Sequence, residues 1–202
     1  MRMIILGIVF MKFTNKTLAG ALIFLGTMWL LMAIVVSEVL YPGYHDTQMI
    51  SDLGIGSTSL IFNASIIFCG ILIIAAAYLL QKAGTDIWFS ALMAMIGIGE
   101  VCVGLFPEDT GTPHIISASI VFLCGCIIAI VSFRVFPSPW AWFSGAIGII
   151  VLAAIILFIV KYNLGLSSGG MERIIAYPLL FWALGSSAFL MAPENSVQVD
   201  ST

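Results

Sequence analysis

Charge is what this chain has least of. Asp, Glu, Lys and Arg make up 8% of its 202 residues, against about 25% in a soluble globular domain. Histidine is scarcer still: with two in the chain, a three-histidine metal site cannot form within one subunit. Seven Lys and Arg stand against ten Asp and Glu, too few cations to track a phosphate backbone, and no nucleic-acid partner is expected. Strand alternation is missing as well. No stretch alternates apolar and polar side chains as the strands of a transmembrane barrel do. Nor is there an internal repeat of the kind many transporters carry.

What the chain has is apolar surface, 61% of its residues. A helix crossing a bilayer needs roughly 20 apolar residues, because its backbone groups find no partner in hydrocarbon except one another. Six runs meet that length: Leu18 to Ser37, Thr58 to Leu80, Ile87 to Phe106, His114 to Phe133, Trp140 to Val160 and Ile174 to Met191. Between them stand Tyr41-Pro42-Gly43, Gln81-Lys82-Ala83-Gly84, Pro107 to Pro113, Pro137-Ser138-Pro139 and Asn163 to Gly170, rich in the residues that stop helices. The expected fold is all-α: six transmembrane helices in one bundle over residues 18–192. An N-terminal cytoplasmic or interfacial segment, 1–17, precedes it, and a cytoplasmic tail, 193–202, follows.

The cations set the expected orientation. With the N-terminus inside, Arg2, Lys12, Lys16, Lys82 and Arg134 are cytoplasmic, and only Lys161 and Arg173 lie outside. Both termini are then cytoplasmic in a multi-pass protein of the cell membrane. The acids sort themselves independently, since Glu38, Asp46, Asp52, Glu108, Asp109 and Glu172 all fall at the outer face. Met3 to Met11 is apolar but too short to span, and it lacks a signal-peptide cleavage pattern. Either Met1 opens the chain with an interfacial segment or Met11 is the start, and the topology is the same.

Four cysteines, Cys69, Cys102, Cys124 and Cys126, all fall in predicted helices. Cys124 and Cys126 are two residues apart, about 200° around a helix, and cannot grip one ion. They are expected to be small apolar side chains. Glu100 is different. It lies six residues before Phe106, roughly 9 Å below the outer end, where a carboxyl group should face the bundle interior or water. Gly97 and Gly104 share its face, a small-residue stripe that lets a neighbouring helix approach. Asn63, Ser117 and Tyr177 are expected within roughly 5 to 8 Å of the same membrane face. Above them stand Asp52, Glu108, Asp109, His114, Glu172 and Arg173, giving a polar funnel closed by apolar helices.

Carboxylates with an imidazole suit acid–base chemistry or a divalent ion. Asp52, His114 and Glu100 are the candidate catalytic groups, and Asp52, Glu108, Asp109 and His114 the candidate ligands of a divalent metal. Tyr41, Asn63, Glu172 and Arg173 are candidate ligand contacts, with Arg173 toward a phosphate. The acidic mouth would repel a free anionic head, so a phosphate-bearing lipid is expected to bind through a divalent cation bridge.

Ile50-Ser51-Asp52-Leu53-Gly54 after an aromatic loop, Phe62-Asn63, Gly104-Leu105-Phe106-Pro107-Glu108-Asp109, His114 opening a helix and Glu172-Arg173 resemble the pattern of domain-of-unknown-function family 998. That is a group of archaeal and bacterial six-helix membrane proteins, and the resemblance runs from Leu18 to Met191. More distantly, the Ile-Ser-Asp motif and the helix-opening His are similar to the superfamily of autophagy modulators and the factor that remodels lipid on GPI-anchored proteins. That similarity implies lipid handling at the non-cytoplasmic leaflet. Three functions therefore compete: a site that binds or modifies a membrane lipid or lipid-linked headgroup, a cation- or proton-coupled transporter using Glu100, and an accessory subunit partnered with other membrane proteins or with copies of itself. A reporter fused after Thr202 or within Gln81 to Asp86 is expected in the cytoplasm, and one within Tyr41 to Ser51 outside. Protease protection reads the outcome, and an external C-terminus would remove the proposed orientation.

Overall fold

The computed structural model describes residues 13–192; expectations for residues 1–12 and the tail 193–202 lie outside the described residues. It holds six helices long and apolar enough to cross a membrane: α1 (Asn15–Leu40), α2 (Ser59–Lys82), α3 (Ile87–Leu105), α4 (Thr112–Val131), α5 (Trp140–Ile159) and α6 (Ser168–Met191). Three short 3-10 turns, Ile50–Gly54, Glu108–Thr110 and Ser132–Arg134, sit in the connections. No strand occurs among the described residues. The chain is a six-helix, multi-pass membrane protein.

Two helices start earlier than the apolar runs suggest. Thr14 caps α1 by accepting from Thr17 N–H at 3.1 Å, so α1 begins at Asn15 rather than Leu18. Ser167 caps α6 by accepting from Gly170 N–H at 3.0 Å. That carries α6 through Gly169-Gly170, and Glu172 and Arg173 become helical.

Each helix packs on its sequence neighbours, and α1 closes the ring on α6; α4 also touches α6, leaving α5 outermost. The tightest seam joins α2 to α3. A Cβ on Gly97 would stand 2.6 Å from the Gly70 carbonyl oxygen, and one on Gly70 2.5 Å from that of Gly97. Only glycine lets the two backbones meet, as expected of the stripe through Glu100. At the far end of this hairpin Asp86 caps α3 by accepting from Trp88 N–H at 2.9 Å and lies 3.8 Å from Arg134 in the α4–α5 connection.

The outer surface is apolar along the length of the bundle. Trp29, Leu60, Trp88, Trp142, Ile149 and Phe181 are all exposed, which suits lipid rather than water. The α1–α2, α3–α4 and α5–α6 connections share one end with Glu38, Asp52, Glu108 and Glu172, termed the acidic end.

Gly97→Ala is expected to cost about 1–3 kcal/mol by forcing the α2–α3 seam apart. Gly145→Ala, on the lipid side of α5 with nothing within 4 Å of its Cβ, should gain up to about 1 kcal/mol from helix propensity. Thermal melts of the two variants in detergent check this, and equal melts would contradict a backbone-to-backbone seam.

Candidate functional site

A short buried segment closes the acidic end. In the turn Ile50–Gly54, Ile50, Ser51, Leu53 and Gly54 are all buried, and their backbone groups need partners within the protein. Glu172 supplies two, its Oε2 accepting from Ile50 N–H and, at 3.4 Å, from Ser51 N–H. Asp52 Oδ2 turns back to accept from Met49 N–H at 2.8 Å. Asn63 Nδ2 donates to the Gly54 carbonyl at 2.8 Å, and the Ser51 hydroxyl donates to Glu108 Oε2 at 2.9 Å.

The approach to that segment depends on Gly169. A Cβ there would lie 1.9 Å from the Gln48 carbonyl oxygen, so glycine alone lets residues 47–48 lie on the first turn of α6. One turn on, Arg173 reaches the same strip of backbone. Its Nη1 donates to the carbonyls of Asp46, Gln48 and Gly169 at 3.0, 2.7 and 3.1 Å. Its Nη2 donates to Glu38 Oε1 at 2.7 Å and to the Tyr44 hydroxyl at 2.8 Å. Tyr44 in turn donates to the Met49 carbonyl at 3.0 Å. Burial pushes the Tyr44 phenol up to about 12, against the opposing Arg173 hydrogen bond, so it keeps the proton it donates. Tyr41 stacks on Tyr44 with ring centroids 5.8 Å apart, and its ring occupies the space a Cβ on Gly56 would need.

Beneath this closure lies a cavity of about 130 Å³ lined by every helix except α5. Its walls run from Val103 to Met93 on α3 and from Glu172 to Ala183 on α6, about 15 Å along the bundle at 1.5 Å per residue. Most of the lining is apolar, including Ile66, Ile73, Val121, Leu179 and Leu180. The polar lining near the acidic end is Ser51, His114, Glu172 and, deeper, Glu100. Thr27 and Trp182 line the distant part. Trp182 is 3% exposed, and its Nε1 has no hydrogen-bond partner among the described residues.

The candidate residues thus separate into groups. Glu100, His114 and Glu172 share the cavity. Asp52, Tyr41, Asn63 and Arg173 hold the closing segment and its flanks, and are not cavity lining. Asp109 is exposed. Ser117 donates to the Pro113 carbonyl at 2.8 Å, and neither it nor Tyr177 lines the cavity, so the expected funnel is narrower and less polar at that depth. His114 Nδ1 lies 2.9 Å from the Phe106 carbonyl oxygen. A carbonyl only accepts, so Nδ1 carries the proton and Nε2 is the acceptor of the neutral ring. Among the described residues no three His, Cys, Asp or Glu side chains form a group that could hold a metal ion. Asp52, Glu108 and His114 instead bond to Met49 N–H, the Ser51 hydroxyl and the Phe106 carbonyl. This donor set does not fit the divalent metal expected from their residue types.

Ser51, Thr27, Trp182 and the Arg173 partners Glu38 and Tyr44 were not among the sequence candidates. Ser51 stood inside a motif that drew attention to Asp52, and uncharged Thr27 and Trp182 carry no pattern that marks a cavity.

The fold and cavity define a class: a multi-pass membrane protein whose helices enclose an elongated apolar chamber with polar groups toward one end. The family model described as Protein of unknown function (DUF998) matches residues 24–188, and the chain belongs to that family. No curated protein and no solved structure matches it.

Burial raises the Glu108 carboxyl above its ordinary 4.5, the Ser51 hydrogen bond opposes the shift, and the Asp52 charge adds to it. The folded protein therefore holds this proton more tightly than the unfolded chain. Stability from this group is full below about 4.5 and falls as pH rises through the raised value. Glu108→Gln keeps an acceptor for Ser51 and removes the fall. Melting temperatures from acid to neutral pH should decline more steeply for the parent than for the variant, and parallel curves would contradict the raised Glu108 carboxyl.

Proposed function

We propose that this protein binds a membrane lipid, taking one apolar chain into the interhelical cavity with the polar end of the lipid toward Ser51, His114 and Glu172. The carrying observation is the shape and lining of that cavity: about 130 Å³ drawn out over about 15 Å of helix, apolar along its walls and polar at one end. A comparable apolar cavity of about 150 Å³ admits a benzene ring, so the width suits a single chain rather than a two-chain lipid body. The excess of Lys and Arg expected on the opposite side supports an extracytoplasmic position for the acidic end. The similarity of Ile50-Ser51-Asp52 and His114 to the lipid-remodelling superfamily supports the same reading.

Lipid modification is the finer form of this proposal, with Glu100 and His114 as the acid and base that reach the chamber. Asp52 acts on it indirectly, by holding the turn that carries Ser51. Nothing comparable supports transport. Ile73, Met93, Leu179 and Leu180 line the distant part of the chamber without an ionisable group, so no relay continues from Glu100.

Ala176 lines the cavity, and Ala176→Phe places a ring in space large enough to accept it without unfolding the bundle. The parent, purified in mild non-ionic detergent, is expected to show a lipid adduct in native mass spectrometry, and the variant to lose most of it at an unchanged melting temperature. Chelator should leave the parent's adduct in place. The same adduct on both proteins would show that the lipid sits elsewhere, on the outer surface.

A further inference from the structure

Apart from Ser51, whose hydroxyl donates to Glu108, the polar lining near the acidic end of the cavity offers acceptor atoms. Glu100, on α3, is 7% exposed. Its Oε2 has no hydrogen-bond partner among the described residues. A buried carboxyl oxygen left without a partner is costly, and the side chain lines the cavity. His114, 8% exposed, also lines it; with Nδ1 committed to the Phe106 carbonyl, its remaining position Nε2 accepts when the ring is neutral. Glu172 is the third such group. The nearby cation is spent elsewhere, since Arg173 donates to Glu38, Tyr44 and three carbonyls. Among the described residues no Lys or Arg lines the cavity.

We propose that the cavity selects a single-chain amphiphile whose head carries hydrogen-bond donors, an alcohol or a protonated amine, and that Glu100 receives the donor. The inference rests on the lipid-binding reading and narrows it to a ligand class. An anionic head, phosphate or carboxylate, brings chiefly acceptors to Glu100, and wherever Glu100 or Glu172 is ionised it meets like charge with no cation among the described lining residues to offset it, which costs affinity. A donor head completes the bonding of Glu100 instead. An amine does so as an ion pair and an alcohol as a neutral hydrogen bond, and both are stronger out of water than in it. Glu100 lies five residues before the end of α3 at Leu105, about 8 Å along the helix. The head is therefore drawn below the closing segment, and its group is read inside the bundle rather than at the membrane surface.

The test uses four probes with one tail: dodecylamine, dodecanol, laurate and dodecyl phosphate. The full chain in lipid nanodiscs is incubated with an equimolar mixture, and the adducts are compared by native mass spectrometry. A hydrogen bond to a charged group predicts that the amine or alcohol adduct exceeds both anionic probes by about tenfold or more. In Glu100→Gln the excess should shrink toward parity. Amine alone in excess would indicate an ionised Glu100, and alcohol alone a neutral one; both uphold the proposal. Laurate or dodecyl phosphate binding as well as the donor heads would overturn it, as would the same excess in Glu100→Gln. If that variant does not fold, the four-probe ratio on the parent decides alone. The lipid reading fails separately, if no probe binds or if all adducts persist in Ala176→Phe.

Discussion

Backbone that is not part of a long helix cannot face hydrocarbon unless the protein itself bonds its N–H and C=O groups. In this protein that constraint falls on residues 46–54, which fold over one end of the bundle and are partly buried there. Glu172, Asp52, Asn63 and Arg173 all answer it: two acids accept from amides at the start of the turn, an amide and a guanidinium donate to carbonyls along it. These four side chains come from α2, α6 and the turn itself. Holding that turn therefore also holds the helices in register around the chamber.

The closure and the chamber are one construction. Glu172 bonds the turn with Oε2 and also lines the cavity, and Ser51 belongs to both. A ligand entering the acidic end would act on the groups that keep the turn in place. Glu100 stands apart, deeper on α3 behind the α2 seam, where Gly70 and Gly97 bring the backbones together. Helix α5 lies at the periphery, with large side chains such as Trp142 and Phe143 turned outward.

Much of the site was visible as residue types in the sequence, and little of it as roles. Glu100 was marked by its depth and His114 by its place at a helix start, and both line the cavity. Arg173 drew attention as a cation among acids, yet its partners Glu38, Tyr44 and the carbonyls of Asp46 and Gln48 are more than 120 residues away in sequence. Asp52 was a candidate metal ligand by residue type alone, and its carboxylate accepts from Met49 N–H in its own turn. Gly169 and Gly170 read as loop because glycine commonly breaks helices, whereas Ser167 caps the helix and Gly169 makes room for Gln48.

The sequence by itself determined six apolar helices, their boundaries to within about three residues except at the start of α6, six residues earlier than its apolar run, and the gathering of acids at alternate connections. These follow from local properties: the length of apolar runs, the position of glycine and proline, and the need of each span to bond its own backbone. Only the tertiary structure decided which polar groups are spent on the protein and which face the chamber. That division depends on helix rotation and on pairs of residues far apart along the chain. Uniformly apolar helices such as α5 have no marked polar face from which their rotation could be read.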